Sequence, residues 1–86
     1  MPEAVQILVV DDEVHIRETL TGVLEDEGYG TAEAADGESA LQCLGSRRTD
    51  IMLLDIWLPG ISGMDVLARV REQFPSGPNT FEVIGG

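Results

Sequence analysis

Three aspartates define the chemistry open to this chain. Asp11 and Asp12 close one continuous apolar run, residues 5–10 (VQILVV), and Asp55 closes a second, residues 51–54 (IMLL), with Glu13 following the first pair. If the two runs are neighbouring strands, their terminal acids meet at one sheet edge. Carboxylates about 5 Å apart at an effective dielectric near 20 repel by roughly 3 kcal/mol, so the cluster needs a positive counterpart. The chain has no lysine to supply it. A hard divalent cation is the natural solution, and oxygen-only ligands at a partly open site suit Mg²⁺, which keeps several waters and takes one or two carboxylates. The candidate donors are the converging carboxylates of Asp11, Asp12 and Asp55, and the backbone carbonyl of Trp57, two residues past Asp55, could reach the same ion. A carboxylate beside such an ion can attack phosphorus and become an acyl phosphate. Asp55, the single acid at its strand end, is the expected nucleophile.

Plainer roles compete for each of these residues. An aspartate after a strand often caps the next helix, and an Asp-Asp-Glu run suits a helix start, where the dipole favours anions. The combination of both strand ends with the Pro-Gly turn after Asp55 outweighs those readings. His15 stands alone on an exposed helix start, without the Cys or His companions that a ligand needs. Cys43, the only cysteine, reads as a small buried apolar residue.

The elements that must position these acids follow from periodicity. Both apolar runs read as strands buried on two faces, the pattern of parallel strands. Between them, Ile16, Leu20, Val23 and Leu24 trace a helix from residue 13 to about 27, with Gly28 at its C-terminus. Residues 29–34 read as a second strand. Asp36 then caps a helix burying Ala40, Leu41 and Leu44 and ended by Gly45. Residues 57–62 (WLPGIS) form a turn, and Val66, Leu67, Val70 and Phe74 line a third helix stopped by Pro75. Residues 79–84 could add a short fourth strand. The βαβαβα order predicts an α/β fold, a flavodoxin-like parallel sheet with helices on both faces, whose ligands sit beyond the carboxyl ends of the strands.

Composition narrows the partners. The 86 residues, 43% hydrophobic and 24% charged, suit one small domain. Sixteen acids against five arginines give −11, and residues 1–46 carry −10 of it. Neither half offers the cationic surface that phosphate neutralisation requires, so direct nucleic-acid binding is not expected. A single cysteine fits a reducing cytoplasm, and no segment approaches the roughly 18 apolar residues of a membrane span. Glu25, Asp26 and Glu27 crowd the unfavourable end of the first helix dipole, as a solvated acidic face or a dock for a basic partner.

Residues 5–13 (VQILVVDDE), 34–40 (AADGESA), 51–63 (IMLLDIWLPGISG) and 64–75 together resemble a bacterial two-component response regulator receiver domain. The WLPG turn and the following GMDVL are most similar to receivers of the nitrogen-regulation, sigma-54-activator type, which usually precede an ATPase and a DNA-binding domain. The resemblance implies Asp55 as phosphoacceptor, Asp12 as direct Mg²⁺ ligand, Asp11 as a water-mediated or structural acid, and the Trp57 carbonyl as a further ligand. It also implies a sensor histidine kinase as phosphoryl donor, and a switch with weak autophosphorylation and autodephosphorylation activity at most.

The chain departs from the family pattern near its end. Receivers run on through further βα units, whereas this sequence reads as a receiver truncated after about three and a half units, with residues 76–86 (SGPNTFEVIGG) atypical. Gapless alignment puts Val83 where the family carries a phosphate-reading Thr or Ser, and the family lysine falls beyond Gly86. Two expectations follow. Phosphorylation is more exposed to these losses than Mg²⁺ binding, the alternative function being an interaction or dimerisation module unable to accept phosphate. Loss of neighbours around the first and third strands, with exposed apolar surface, predicts homo-oligomers through the truncated edge.

Overall fold

A computed structural model describes residues 4–58, 60–75, 77–78 and 80–84. Four parallel strands, β1 (Gln6–Val10), β2 (Gly30–Ala34), β3 (Ile51–Asp55) and β4 (Thr80–Ile84), form one sheet in the order β2-β1-β3-β4. Three helices connect them: α1 (Val14–Asp26), α2 (Gly37–Ser46) and α3 (Gly63–Gln73). The sheet has the expected parallel α/β architecture.

The unbroken apolar run of β1 belongs to an interior strand. Leu8, Val9 and Val10 have no solvent exposure, because β1 is paired on both sides and covered on both faces. Strand alternation divides the packing. Leu8 and Val10, Ala34, Met52 and Leu54 point into one core with Ala40 and Leu44 of α2, Leu58, and Val66 and Val70 of α3. Each fully buried Leu, Met or Val contributes about 1.5–3 kcal/mol by leaving water. The opposite face of β1 carries Ile7 and Val9, also buried, with α1 lying over β1 and β2.

Helix ends follow local chemistry. Glu13 caps α1 with its side chain, accepting from the His15 N–H at 3.4 Å. At the other end, Gly28 has φ of 94° and donates to Glu25 O, while Tyr29 donates to Leu24 O at 3.0 Å. This is the Schellman arrangement, which requires a residue tolerant of the left-handed region. Asp36 caps α2 by accepting from the Ser39 N–H at 2.8 Å. That bond, with the Ser39 side chain, holds its carboxyl below the ordinary value of 3.8.

Two expectations need correction. Gly45 does not end α2, which continues to Ser46, since one helical glycine costs only about 1 kcal/mol. Strands β1 and β3 do not lose neighbours, because β4 forms over five residues and pairs with β3; the sheet edges are β2 and β4. Asn79, the expected first residue of that strand, lies outside the described residues, as do Pro59 of the turn and the terminal Gly85 and Gly86. The apolar stripe of α1 is only half covered, Leu20 and Leu24 being partly buried. Thr21 is the buried residue of the helix, whereas Ile16 is 45% and Val23 56% exposed. Arg17, bonded to the end of β1 and to β2, lies with Thr21 and Leu24 on the more buried side of the helix, while Ile16 and Val23 face outward.

Candidate functional site

Adjacent parallel strands end at the same level, so the register that sets Val10 against Leu54 carries Asp11 and Asp55 to one edge. One carboxylate oxygen each from Asp11, Asp12 and Asp55 lies within 4.8 Å of the others. Asp11 is 3% and Asp55 8% exposed, while Asp12 is exposed. Two acids form the floor and one the open side.

Backbone hydrogen bonds hold the two buried carboxylates. Asp11 Oδ1 accepts from the Glu13 N–H at 2.8 Å, and Asp55 Oδ1 accepts from the Trp57 N–H at 3.0 Å. Each aspartate thereby orders the turn leaving its own strand and keeps its second oxygen for another partner. The chain also anchors Asp11 through its main chain. Its N–H donates to Ala34 O at 3.1 Å, and its carbonyl accepts from Arg17 Nη1 at 2.8 Å. Arg17 Nε in turn donates to Glu33 Oε1 at 3.1 Å.

The loop after Asp55 is folded back against the strand end. Gly60 has φ of 78°, as the turn expected from Pro-Gly requires. Ser62 caps α3, its Oγ accepting from the Asp65 N–H at 3.2 Å. Gly63 donates to Ile56 O at 3.0 Å, and a Cβ on Gly63 would lie 2.5 Å from the Asp55 carbonyl oxygen and 2.8 Å from Ile56 Cα. Only a hydrogen fits there, so α3 starts directly against the backbone that presents Asp55.

The donor set fits Mg²⁺. Octahedral coordination at about 2.1 Å puts ligand oxygens about 3.0–4.2 Å apart, so the 4.8 Å spread needs a few tenths of an ångström of closure or one bridging water. All donors are hard oxygens, and the exposed side at Asp12 leaves room for retained water. Glu13 turns away to cap α1. His15 is exposed, and no described His or Cys joins the cluster. The Trp57 side chain is 71% exposed, and its backbone is tied to the site through the N–H bond to Asp55.

Sequence reasoning missed Arg17, Glu33, Ser62 and Gly63 as parts of this site. Ser62 carries a readable signal, since a serine three residues before an acid at a helix start is a capping pattern. Nothing in a single sequence distinguishes Gly63 from the turn glycine Gly60.

The Response regulator receiver domain family matches residues 7–83, nearly the whole described chain. The chain belongs to this family. Receivers are signalling phosphoacceptor modules of two-component response regulators rather than classical enzymes. Among curated relatives, this receiver is 40% identical over 74 residues to the nitrogen assimilation regulatory protein NtrX of Azorhizobium caulinodans, covering 84% of this chain and 16% of that protein. It is 47% identical over 66 residues to the DNA-binding response regulator MtrA of Mycobacterium tuberculosis, covering 77% and 29%. The chain thus spans less than a third of either relative. Among solved structures, it superposes on the response regulator TrrA of Thermotoga maritima, in complex with Mg²⁺ and BeF, with a TM-score of 0.79, 33% identity and coverage of 94% and 87%. No described helix is long and apolar enough to cross a membrane.

Proposed function

We propose that this receiver accepts a phosphoryl group on Asp55, with Mg²⁺ held by Asp11, Asp12, Asp55 and the Trp57 carbonyl, and that a sensor histidine kinase is the donor. The observation that supports this best is the meeting of three carboxylate oxygens within 4.8 Å at adjoining strand ends. The Mg²⁺–BeF complex of the TrrA relative is a further support. An Asp55 oxygen attacks the phosphorus of the phosphohistidine, the P–N bond breaks, and the imidazole leaves with the bonding pair. Bound Mg²⁺ would neutralise the charge that builds on the phosphoryl oxygens. The Trp57 N–H keeps the nucleophile and its turn in place, Asp11 orders the turn that carries Asp12, and the exposed side at Asp12 admits the donor. Phosphorylation in the cytoplasm would then be read by an output domain in a longer regulator of transcription, the relatives being named a nitrogen assimilation regulatory protein and a DNA-binding response regulator.

The metal assignment has a direct optical test. Trp57 is the only tryptophan, and its N–H is bonded to Asp55, so Mg²⁺ binding is expected to change its fluorescence. Asp12→Ala removes the exposed carboxylate and is expected to weaken Mg²⁺ at least tenfold. An unaltered titration in that variant would mean that the ion binds elsewhere.

A second reading, an interaction module that self-associates, is favoured by the open outer edge of β4 and by the exposed Ile16 and Val23 on α1. Unpaired strand edges and apolar patches are surfaces that recruit partners. Light scattering after size exclusion is expected to give at least a dimer mass at roughly tens of micromolar chain; monomer alone would remove this reading.

A further inference from the structure

Arg17 links three elements that meet behind the aspartate pocket. From the second turn of α1 it donates Nη1 to the carbonyl of Asp11 at 2.8 Å and Nε to Glu33 Oε1 on β2 at 3.1 Å. Its side chain is only 16% exposed. The residues it braces are those whose positions matter most. Asp11 is the last residue before the chain leaves β1, its carbonyl begins the peptide unit to Asp12, and two of the three clustered carboxylates lie on this short turn.

A cation next to a divalent-ion pocket would by charge alone oppose the ion. Here Glu33 neutralises Arg17, so the pair adds no net charge at the pocket while retaining its geometry. The two acceptors are served by different nitrogens of one planar fork, an arrangement that a lysine, donating from a single nitrogen, does not reproduce.

We propose that Arg17, oriented by Glu33, is a positioning residue for the ion site: it fixes the Asp11 carbonyl, and with it the separation of the Asp11 and Asp12 carboxylates from Asp55. This rests on the Mg²⁺ assignment made above. Groups that orient metal ligands contribute about 10- to 100-fold in affinity, and one acting through the backbone belongs at the lower end of that range.

The test is Mg²⁺ titration by Trp57 fluorescence, with Mn²⁺ binding by electron paramagnetic resonance as a second readout, on the full chain. Arg17→Met combined with Glu33→Gln changes no net charge and is expected to weaken both ions about tenfold. Arg17→Lys, which keeps the charge but not the fork, is expected to weaken them in the same direction by a smaller factor. Glu38→Gln, which breaks the remote Arg69–Glu38 pair at 3.3 Å, serves as a control and is expected to bind as the native chain does. Equal or tighter binding in the Arg17 variants, the result expected if Arg17 were only a nearby positive charge, overturns the proposal. Should the double variant fail to fold by circular dichroism, Arg17→Lys decides alone. Absence of Mg²⁺ binding in the native chain overturns the metal assignment and this role together, whereas native binding with unchanged variants overturns this role only.

Discussion

Asp55→Asn is expected to abolish phosphoryl uptake completely. With Mg²⁺ and acetyl phosphate, the native chain should gain the mass of one phosphoryl group, as an acyl phosphate cleavable by hydroxylamine, and the variant should gain none. The substitution is nearly isosteric, and its amide oxygen can still accept from the Trp57 N–H as Asp55 Oδ1 does at 3.0 Å. The turn after β3 therefore survives, and folding is expected to change little. What disappears is the second carboxylate oxygen as a nucleophile, because an amide has no anionic oxygen to attack phosphorus. The variant also removes one of three negative charges from the pocket, so its Mg²⁺ affinity should fall as well.

The native response has its own significance. Strand β4 places Val83 opposite Leu54 and Ile84 opposite Asp55, so the strand beside the proposed nucleophile carries no hydroxyl at either position. Nor is there a lysine in the chain to pair with a phosphoryl oxygen. Mass gain in the native protein would show that three carboxylates and an ion suffice for transfer. Silence, with Mg²⁺ still bound, would favour the interaction module.

Gly63→Ala should produce the second large effect, and for a reason unrelated to charge. Its new methyl would meet the Asp55 carbonyl oxygen at 2.5 Å and Ile56 Cα at 2.8 Å. Both obstacles are backbone, so no rotamer change relieves the overlap. Either α3 withdraws, breaking the Gly63–Ile56 bond and disturbing the packing of Val66 and Val70, or the β3 end shifts with Asp55. Overpacking costs about 1–3 kcal/mol, a large share of the roughly 4–13 kcal/mol available to a chain of this size. Urea unfolding should show a lower midpoint with an unchanged slope. Mg²⁺ affinity should fall in parallel, because the displaced atoms include Asp55, the proposed nucleophile and ligand. A variant as stable and as tightly binding as the native chain would mean that α3 does not seat against Asp55.

The strands and most helix boundaries were legible because their signals are local. Runs such as VQILVV and IMLL are continuous because β1 and β3 are interior strands. Gly28 stops α1 because the chain turns there at positive φ, which only backbone chemistry decides. Asp11, Asp12 and Asp55 could be named in advance, since an acid that ends a buried strand must emerge at the sheet edge.

The orientation of α1 was not legible. Its stripe of Ile16, Leu20, Val23 and Leu24 has helical periodicity, and periodicity records which residues share a side without saying what covers it. Thr21 is the buried residue, Leu20 and Leu24 are partly buried beside it, and Arg17 is bonded across to Asp11 and Glu33, while Ile16 and Val23 stay exposed. Gly45 misled for the complementary reason: a local helix-stop signal yields where the helix continues at small cost.

Residue types and the order of elements thus determined, from the chain alone, that acids would end two buried strands and that oxygen chemistry would gather there. The tertiary structure decided which groups hold them apart at usable distances. Arg17, six residues from Asp11 and sixteen from Glu33, and Gly63, eight residues from Asp55, act across turns, where propensity and periodicity carry no information because the contact exists only once α1 and α3 have packed against the strand ends.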